Sequence, residues 1–570
     1  MLRFEESKGR GKTLSFIQSL SSECAVLGGP LCEQLNALVQ RGAFRELVDF
    51  KFDPVAMDKS QLNDYLYARQ IKALVEKQDF LDIGYDREKE AVTKFRIAEE
   101  DCRKTNTRLW EERPNWDVAG VLYTAQRIIA QILGPVPEFA DMTFLFGPGA
   151  STNVAGRVAS FRSKLGAPMQ CSESLVSMLG DFLAEFPLWC DAVATEHVNK
   201  NKNPDATLTG EQNSDGDVSW VVPVEVRPAR LAFVSKTSKT DRSICVEPSL
   251  NALGQKGIGS YMKKRLDLYG VDLRDQTVNQ RLALAGSIFG NYATVDLSSA
   301  SDTVSYALVM SLLPSEWFEL LDHFRSERVE FKGEVIELEK FSSMGNAYTF
   351  ELESLLFYAL ALAVCDSLEL VGKPIFDGGR LQKGFPVTVF GDDIIIPVGA
   401  YTLLEQVLTW CGFTLNSDKS FCYGPFRESC GTDWFLGFDV RPWYLKDEVS
   451  ERSLFIAHNF FLRKGERSLA RICYLYTERE FRLWGPDGYG DGHLLGTYNL
   501  KPPRIPGWEG GYFRSWKGVS NRNEKAYQTD VLIPSYSVEA RMGEETSTDP
   551  YVVRGTKKYR TTSIYTTRRG

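Results

Sequence analysis

The sequence is poor in the residues that build metal-thiolate or disulfide frameworks. Only four histidines occur in 570 residues, and no two cysteines are spaced C-x-x-C. Eleven cysteines, an odd number scattered along the chain, argue against a zinc site or a disulfide scaffold and fit a reducing compartment. Long hydrophobic runs are missing too: the longest, Leu355–Cys365, has eleven residues, where a bilayer span needs about 18–20. The opening MLRFEESKGRGKT has no apolar core of the kind a secretory signal carries, so none is expected. There is no internal repeat and no long low-complexity tract. With 43% hydrophobic and 25% charged residues the composition is that of a globular protein, long enough for several cores or one multi-lobed body.

Basic charge is also in deficit overall, with a net charge of −8. A polyanionic partner, however, responds to local patches and not to the total. Between Arg227 and Arg265 nine basic residues face two acidic ones. From Tyr551 to Gly570 there are six basic residues and no acid, interleaved with Tyr551, Tyr559 and Tyr565. Each patch reads either as a nucleic-acid surface or as a solvated face, the second also as a loose tail.

The first 140 residues read as mostly helical, with amphipathic stretches at 61–78 and 120–133. The polar stretch 199–217 predicts a surface loop, and strand-like runs follow at 220–226 and 231–235. From 291 the pattern predicts a strand (Ala293–Leu297), a helix (Thr303–Leu313), a hairpin (Val329–Glu339), a helix (Thr349–Cys365), a hairpin (Val387–Pro397) and a helix (Leu403–Cys411). That order describes an α+β unit, a mixed sheet with helices packed on it. Helical pieces are expected near 454–483, then a Gly/Pro-rich region, then the basic tail.

Two places in this unit carry carboxylates that need a reason. VFGDDIIIP (389–397) sets Asp392 and Asp393 in a tight turn between two apolar runs. Taken alone they are turn residues. In NYATVDLSSASDTVS (291–305), Asp296 ends a buried strand and Asp302 stands where it can cap the following helix. A carboxylate at the end of a buried strand is costly without a partner, and a metal ion shared with the hairpin pair would supply one. Two Mg²⁺ ions held by carboxylates of adjacent strands are a recurrent arrangement for nucleotidyl transfer, because Mg²⁺ takes few hard oxygen ligands and keeps its waters. Such chemistry demands a cationic grip on a triphosphate. VSKTSKTDRSICVEP (234–248) offers Lys236, Lys239 and Arg242 at three-residue intervals. An ordinary basic loop is the alternative.

The order VSKTSKTDR, TVDLSSASD, SSMGNAYTFELES (342–354), VFGDDIII resembles the catalytic subunit of the RNA replicases of single-stranded RNA bacteriophages, the leviviruses. FGPGASTN (146–153), GVDLRDQTVNQR (270–281), GPFRESCG (424–431), VRPWYL (440–445) and PDGYGDG (486–492) extend the resemblance over about 146–492. It implies a right-hand polymerase fold of fingers, palm and thumb, copying RNA from RNA with two Mg²⁺ ions. The expected division is an N-terminal and fingers region over 1–290 with the basic NTP-contacting segment 227–265, a palm over 291–440, and a thumb with basic tail over 441–570.

Carried over by position, Asp296, Asp392 and Asp393 match the metal-binding carboxylates. Lys236, Lys239 and Arg242 lie in the segment that contacts the incoming triphosphate, and Lys419 in NSDKSF is similar to a palm lysine proposed to protonate pyrophosphate. Many plus-strand polymerases carry Ser-Gly-x3-Thr-x3-Asn, whose Ser and Asn help read the ribose 2′-hydroxyl. Here Gly345 and Thr349 keep the spacing, but Met344 and Glu353 replace Ser and Asn. Asp302 with Asn346 is the expected ribose-reading pair. The resemblance further implies RNA template and product, NTPs, host elongation factors Tu and Ts and a host ribosomal protein as partners, no membrane, and the cytoplasm of the infected bacterium.

Two other readings compete. A reverse transcriptase shares the palm carboxylates but usually has a non-glycine residue before the pair, against Gly391. A non-enzymatic RNA-binding protein would use the basic patches but leave the three carboxylates without a purpose, since carboxylates repel phosphate unless a metal intervenes. The four histidines are scattered with no nucleophile beside them, and Cys430 reads as a buried small residue.

Overall fold

A computed structural model describes residues 3–5, 9–156, 158–200, 207–209, 221–370, 376–377, 380–381, 387–502, 510–518 and 558–566. The larger core is built around the helix Thr349–Ser367, whose residues Leu352 to Cys365 are all buried. A helix apolar on every side belongs inside a core, and this one packs against the helices Trp116–Leu133 and Ser249–Leu268. Beside it lies an antiparallel sheet with Asp393–Pro397 at its centre, flanked by Thr388–Phe390 and Tyr292–Val295. Ile394, Ile395 and Ile396 are all fully buried. Consecutive buried residues on a strand mean that both faces are covered, and the helices Thr349–Ser367 and Thr277–Phe289 both contact this strand. A four-stranded sheet places Ala229–Ser235 between Asp241–Val246 and Arg328–Phe331, with Glu334–Glu337 at the far edge. The α+β class is therefore observed.

Chain order and packing order differ at the two ends of the sequence. Helices Arg10–Leu27, Pro30–Gln40 and Leu62–Glu76 share a second core with Glu451–Arg463 and Arg467–Tyr476. Lys12 Nζ donates to Glu451 Oε1 at 2.7 Å, and the Val449 amide to Thr13 Oγ1 at 2.9 Å, across this junction. Part of the basic tail is a strand: Lys558–Thr566 lies between Arg3–Glu5 and Gly511–Gly518. The stretch 199–217 falls outside the described residues except for the end of a helix and the strand Thr207–Thr209.

Most elements expected between 291 and 411 are present within a few residues. The helix expected over Thr303–Leu313 is a correction. It begins at Tyr306, after Ser305, and Asp302 ends a short 3-10 turn, Ala300–Asp302. Asp302 does not cap it because its carboxylate is taken by Lys340 at 2.9 Å, while Thr303 Oγ1 turns back to the Ser299 carbonyl at 3.2 Å. A second helix, Ser315–Phe324, follows. All eleven cysteines are free thiols, buried except Cys422. Among the described residues no helix is long and apolar enough to cross a membrane.

One buried side chain ties the central sheet to the segment 422–426. Arg427 is fully buried and its hydrogen-bond partners are five backbone carbonyls: Tyr292 at 2.6 Å, Tyr423 at 3.2 Å, Gly424 at 2.9 Å, Phe426 at 2.6 Å and Cys422 at 3.1 Å. Removing the guanidinium strands several acceptors without water. Arg427→Met is expected to cost about 3 kcal/mol or more. Arg427→Lys, with three donors on a shorter stem, recovers only part of that. Denaturant unfolding of the two variants beside the wild type checks the order, and equal midpoints would refute it.

Candidate active site

The turn at 390–393 is shaped by what stands beneath it. Phe390 pairs with Asp393, leaving Gly391 and Asp392 as a two-residue connection. Gly391 has φ +65°, and a Cβ there would lie 2.6 Å from the Phe350 ring and 3.2 Å from Glu353 Oε1. Positive φ at the first position of a two-residue hairpin is a glycine geometry. The Gly391 amide donates to Ser354 Oγ at 3.0 Å, which pins the turn to the helix Thr349–Ser367.

Asp296 arrives from the neighbouring strand. Ile394 pairs with Val295 and Ile395 with Thr294, so the same register, carried one step on, sets Asp393 opposite Asp296. The loop 415–421 clamps this strand end. The Asn416 amide donates to the Asp296 carbonyl at 2.9 Å, and Asn416 Nδ2 to Asp296 Oδ2 at 2.8 Å. Ser420 accepts from the Asp296 amide at 3.1 Å. Asp393 Oδ1 accepts from Ser429 Oγ at 3.2 Å, and its carbonyl from Asn279 Nδ2 at 3.0 Å.

The three carboxylates act on one another. Burial, followed by the charges of Asp296 and Asp393, pushes Asp392 up to about 6. Burial is also the main cause raising Asp393, with Asp296 adding to it. Among the described residues no three His, Cys, Asp or Glu side chains converge on a common point that could hold a metal ion. The set is thus coupled through its fields but not closed. Its donor chemistry, hard carboxylate oxygens that are partly buried and mutually repelling, fits a hard divalent cation.

Cations stand opposite. Lys419, in the same loop as Asn416, pairs with Glu428 at 3.5 Å. The Glu428 charge raises its amine, against burial, and Asp296 and Asp393 add to the effect. Lys236 is exposed, and its amine is lowered by the packing around it and then by Arg242, Lys419 and Lys94, with Asp392 pulling the other way. That pattern puts Lys236, Arg242, Lys94 and Lys419 in one positive field beside the carboxylates. Lys239 is not part of it. It pairs with Asp49 and sits 5.8 Å from the Tyr85 ring centroid.

Of the two residues expected to read the ribose, Asp302 is bonded to Lys340 through Oδ1. Asn346 is buried, its Oδ1 accepting from the Tyr348 amide at 3.1 Å while its Nδ2 has no hydrogen-bond partner among the described residues. The turn holding it depends on Gly345, with φ +112° and a Cβ position only 2.2 Å from the Cys245 carbonyl. Glu353 is buried and accepts from Ser301 Oγ at 2.7 Å. Burial, then the Asp392 charge, pushes it up to about 8.

Sequence reasoning missed the residues that orient the site: Asn416, Ser420, Ser429, Glu428, Asn279 and Lys94. Several of them lay in strings already singled out, GPFRESCG and NSDKSF among them, and a polar residue on a buried strand is the signal that marks Ser429. His323, His458 and His493 have partners of their own: the Ser174 carbonyl at 3.1 Å, Asn459 at 3.0 Å and Ser515 at 3.1 Å.

The arrangement has relatives. The chain is 37% identical over 456 residues to the "RNA-directed RNA polymerase subunit beta" of Enterobacteria phage SP, covering 75% of this chain and 71% of that one. It is 36% identical over 457 residues to the protein of the same description from Escherichia virus Qbeta, covering 76% and 70%. Over 216 residues it is 44% identical to the "RNA-directed RNA polymerase beta chain" of Escherichia phage MS2, covering 38% and 37%. The model of the family described as "RNA replicase, beta-chain" matches residues 51–466, which include each of these carboxylates and cations. With site and sequence in agreement over that span, the chain belongs to the RNA replicase beta-chain family.

Proposed function

We propose that this RNA-directed RNA polymerase copies a phage's single-stranded RNA genome by nucleotidyl transfer at Asp296, Asp392 and Asp393, with two Mg²⁺ ions as cofactor. The observation that carries the reading is the coupled carboxylate set at the hairpin tip facing Lys236, Arg242 and Lys419. Asp296, Asp392 and Asp393 would hold the Mg²⁺, which would supply a lowered pKa for the attacking 3′-hydroxyl and charge compensation for the leaving pyrophosphate.

The chain's own residues do the rest. Asn416 and Ser429 hold Asp296 and Asp393 in fixed orientations. Lys236, Arg242 and Lys94, which have no carboxylate partner among the described residues, receive the triphosphate. Lys419, kept protonated by Glu428, presents Nζ as a donor to the departing phosphate oxygens. Asp302 and Asn346 supply an acceptor and a donor for the ribose 2′-hydroxyl. Host elongation factors Tu and Ts, a host ribosomal protein and the bacterial cytoplasm remain part of this proposal. The reverse-transcriptase reading loses ground at Gly391, where the turn has no room for a side chain.

Template-directed incorporation of labelled NTPs with Mg²⁺ tests the proposal. Asp392→Asn is expected to lower the rate about a thousandfold, equivalent to about 4 kcal/mol of transition-state stabilisation. Activity equal to wild type in a folded Asp392→Asn chain would remove Asp392 from the chemistry.

The same substitution has a stability signature with a definite sign. The folded chain holds the Asp392 proton more tightly than its ordinary value of 3.8, up to about 6. The folded state is therefore unburdened below about 4, and loses stability as pH rises from there through about 6. Without divalent cations at pH 7.5, Asp392→Asn is expected to be more stable than wild type by about 1–3 kcal/mol, an advantage that shrinks as pH falls toward 4. Mg²⁺ should raise the wild-type Tm more than that of the variant. Identical Mg²⁺ shifts in both would contradict the metal role of Asp392.

A further inference from the structure

Lys340 is fully buried. Its Nζ lies 2.9 Å from Asp302 Oδ1 and 3.1 Å from Glu99 Oε1, the first as a hydrogen bond and the second as an ion pair. The ammonium also sits 4.2 Å from the Phe95 ring centroid. Burial works to discharge Lys340, but the charges of Asp302 and Glu99 outweigh it and raise the amine.

Glu99 belongs to the helix Arg87–Glu111, in a part of the chain whose sequence offered no functional motif. One face of that helix grips the segment that carries Asp302. Glu99 Oε2 accepts from the Glu339 amide at 2.7 Å. Cys102 Sγ reaches the Asp302 carbonyl at 3.5 Å. Asn106 donates to the Glu339 carbonyl at 2.9 Å and accepts from the Ala307 amide at 2.9 Å. Residues 95, 99, 102 and 106 are spaced three and four apart, so they form one stripe. The stripe contacts the Asp302 backbone through Cys102, and through Glu99 it holds the lysine that binds one Asp302 oxygen. The second oxygen, Oδ2, has no hydrogen-bond donor among the described residues, and the side chain is 17% exposed.

We propose that Glu99 and Lys340 are positioning residues for sugar selection. Together they lock Asp302 Oδ1 so that Oδ2 is held toward the incoming nucleotide's 2′-hydroxyl. This rests on the reading of Asp302 as a ribose contact. A carboxylate tied at one oxygen has lost the rotamers that would let it retreat from a deoxyribose, so mispositioning lowers the discrimination before it lowers the chemistry. A purely architectural buried ion pair would make a different demand: its loss would weaken the fold and leave the substrate ratio alone.

The test is the ratio of kcat/KM for an NTP to that for the matching dNTP, on the full-length chain in its active assembly. The variants are Asp302→Asn, Glu99→Gln, Lys340→Met, Lys340→Arg and the double variant Asp302→Asn/Glu99→Gln. The expected result is a fall of about tenfold for Asp302→Asn and about fivefold for Glu99→Gln, mostly through a higher KM for the NTP, with no further fall in the double variant. Lys340→Arg should retain most of the ratio. If Lys340→Met does not fold, Glu99→Gln decides, since it leaves Lys340 paired with Asp302. An unchanged ratio in Asp302→Asn would overturn the ribose reading and the inference together. A lowered ratio in Asp302→Asn with a wild-type ratio in Glu99→Gln, or additive losses in the double variant, would overturn the inference alone.

Discussion

Mutual repulsion among Asp296, Asp392 and Asp393 is the constraint around which the centre of this molecule is arranged. Three carboxylates at the end of a half-buried sheet oppose folding unless cations stand near and unless each carboxylate is held by donors. The first condition is met from outside the sheet, and the second is met there for two of the three carboxylates. Asn416 and Ser429 bond Asp296 and Asp393, while Lys419 and Lys236 provide positive charge without closing onto any carboxylate of the set. Lys419 stays free of the three because Glu428 takes it. A lysine paired directly with Asp392 would offset the repulsion and leave less uncompensated negative charge at the hairpin tip.

The backbone meets a matching constraint. The carboxylates approach one another only because the hairpin is tight, and it is tight because Gly391 turns with positive φ directly on Phe350 and Glu353. The helix beneath can hold Glu353 there because burial and the Asp392 field favour its neutral form. An ionised Glu353 would add a fourth charge to the cluster. Gly345 performs the equivalent service at the helix N-terminus, letting the turn with Asn346 lie against the Cys245 carbonyl. The two glycines set the heights of the hairpin and of the Asn346 turn over the same helix.

What was legible in the sequence was what neighbouring residues decide. Alternation, apolar runs and turn residues located the sheet strands and the buried helix within a few positions, and the Gly-Asp-Asp turn was readable because its geometry is local. The reading failed where distant side chains decide. The helix expected from Thr303 starts later because Asp302 answers to a lysine 38 residues away, a stronger pull than capping. Lys239 keeps the spacing of a phosphate contact, and the fold adds a partner that no local pattern shows, Asp49. Nothing in the sequence of 87–111 distinguishes Glu99 from the other acids of a polar helix, since its meaning comes from Lys340, far along the chain.

That last pairing explains why so polar a helix is held against the centre of the protein. Its stripe of Phe95, Glu99, Cys102 and Asn106 supplies few apolar contacts, so hydrophobic burial alone would hold it weakly. A fully buried lysine with two carboxylates fixes its register instead, because any slip along the helix takes Glu99 away and leaves Lys340 with Asp302 alone. The same register delivers Lys94 to the positive field around Lys236. One ion triad therefore fixes where Lys94, on the helix, and Asp302, beside the central sheet, stand with respect to each other.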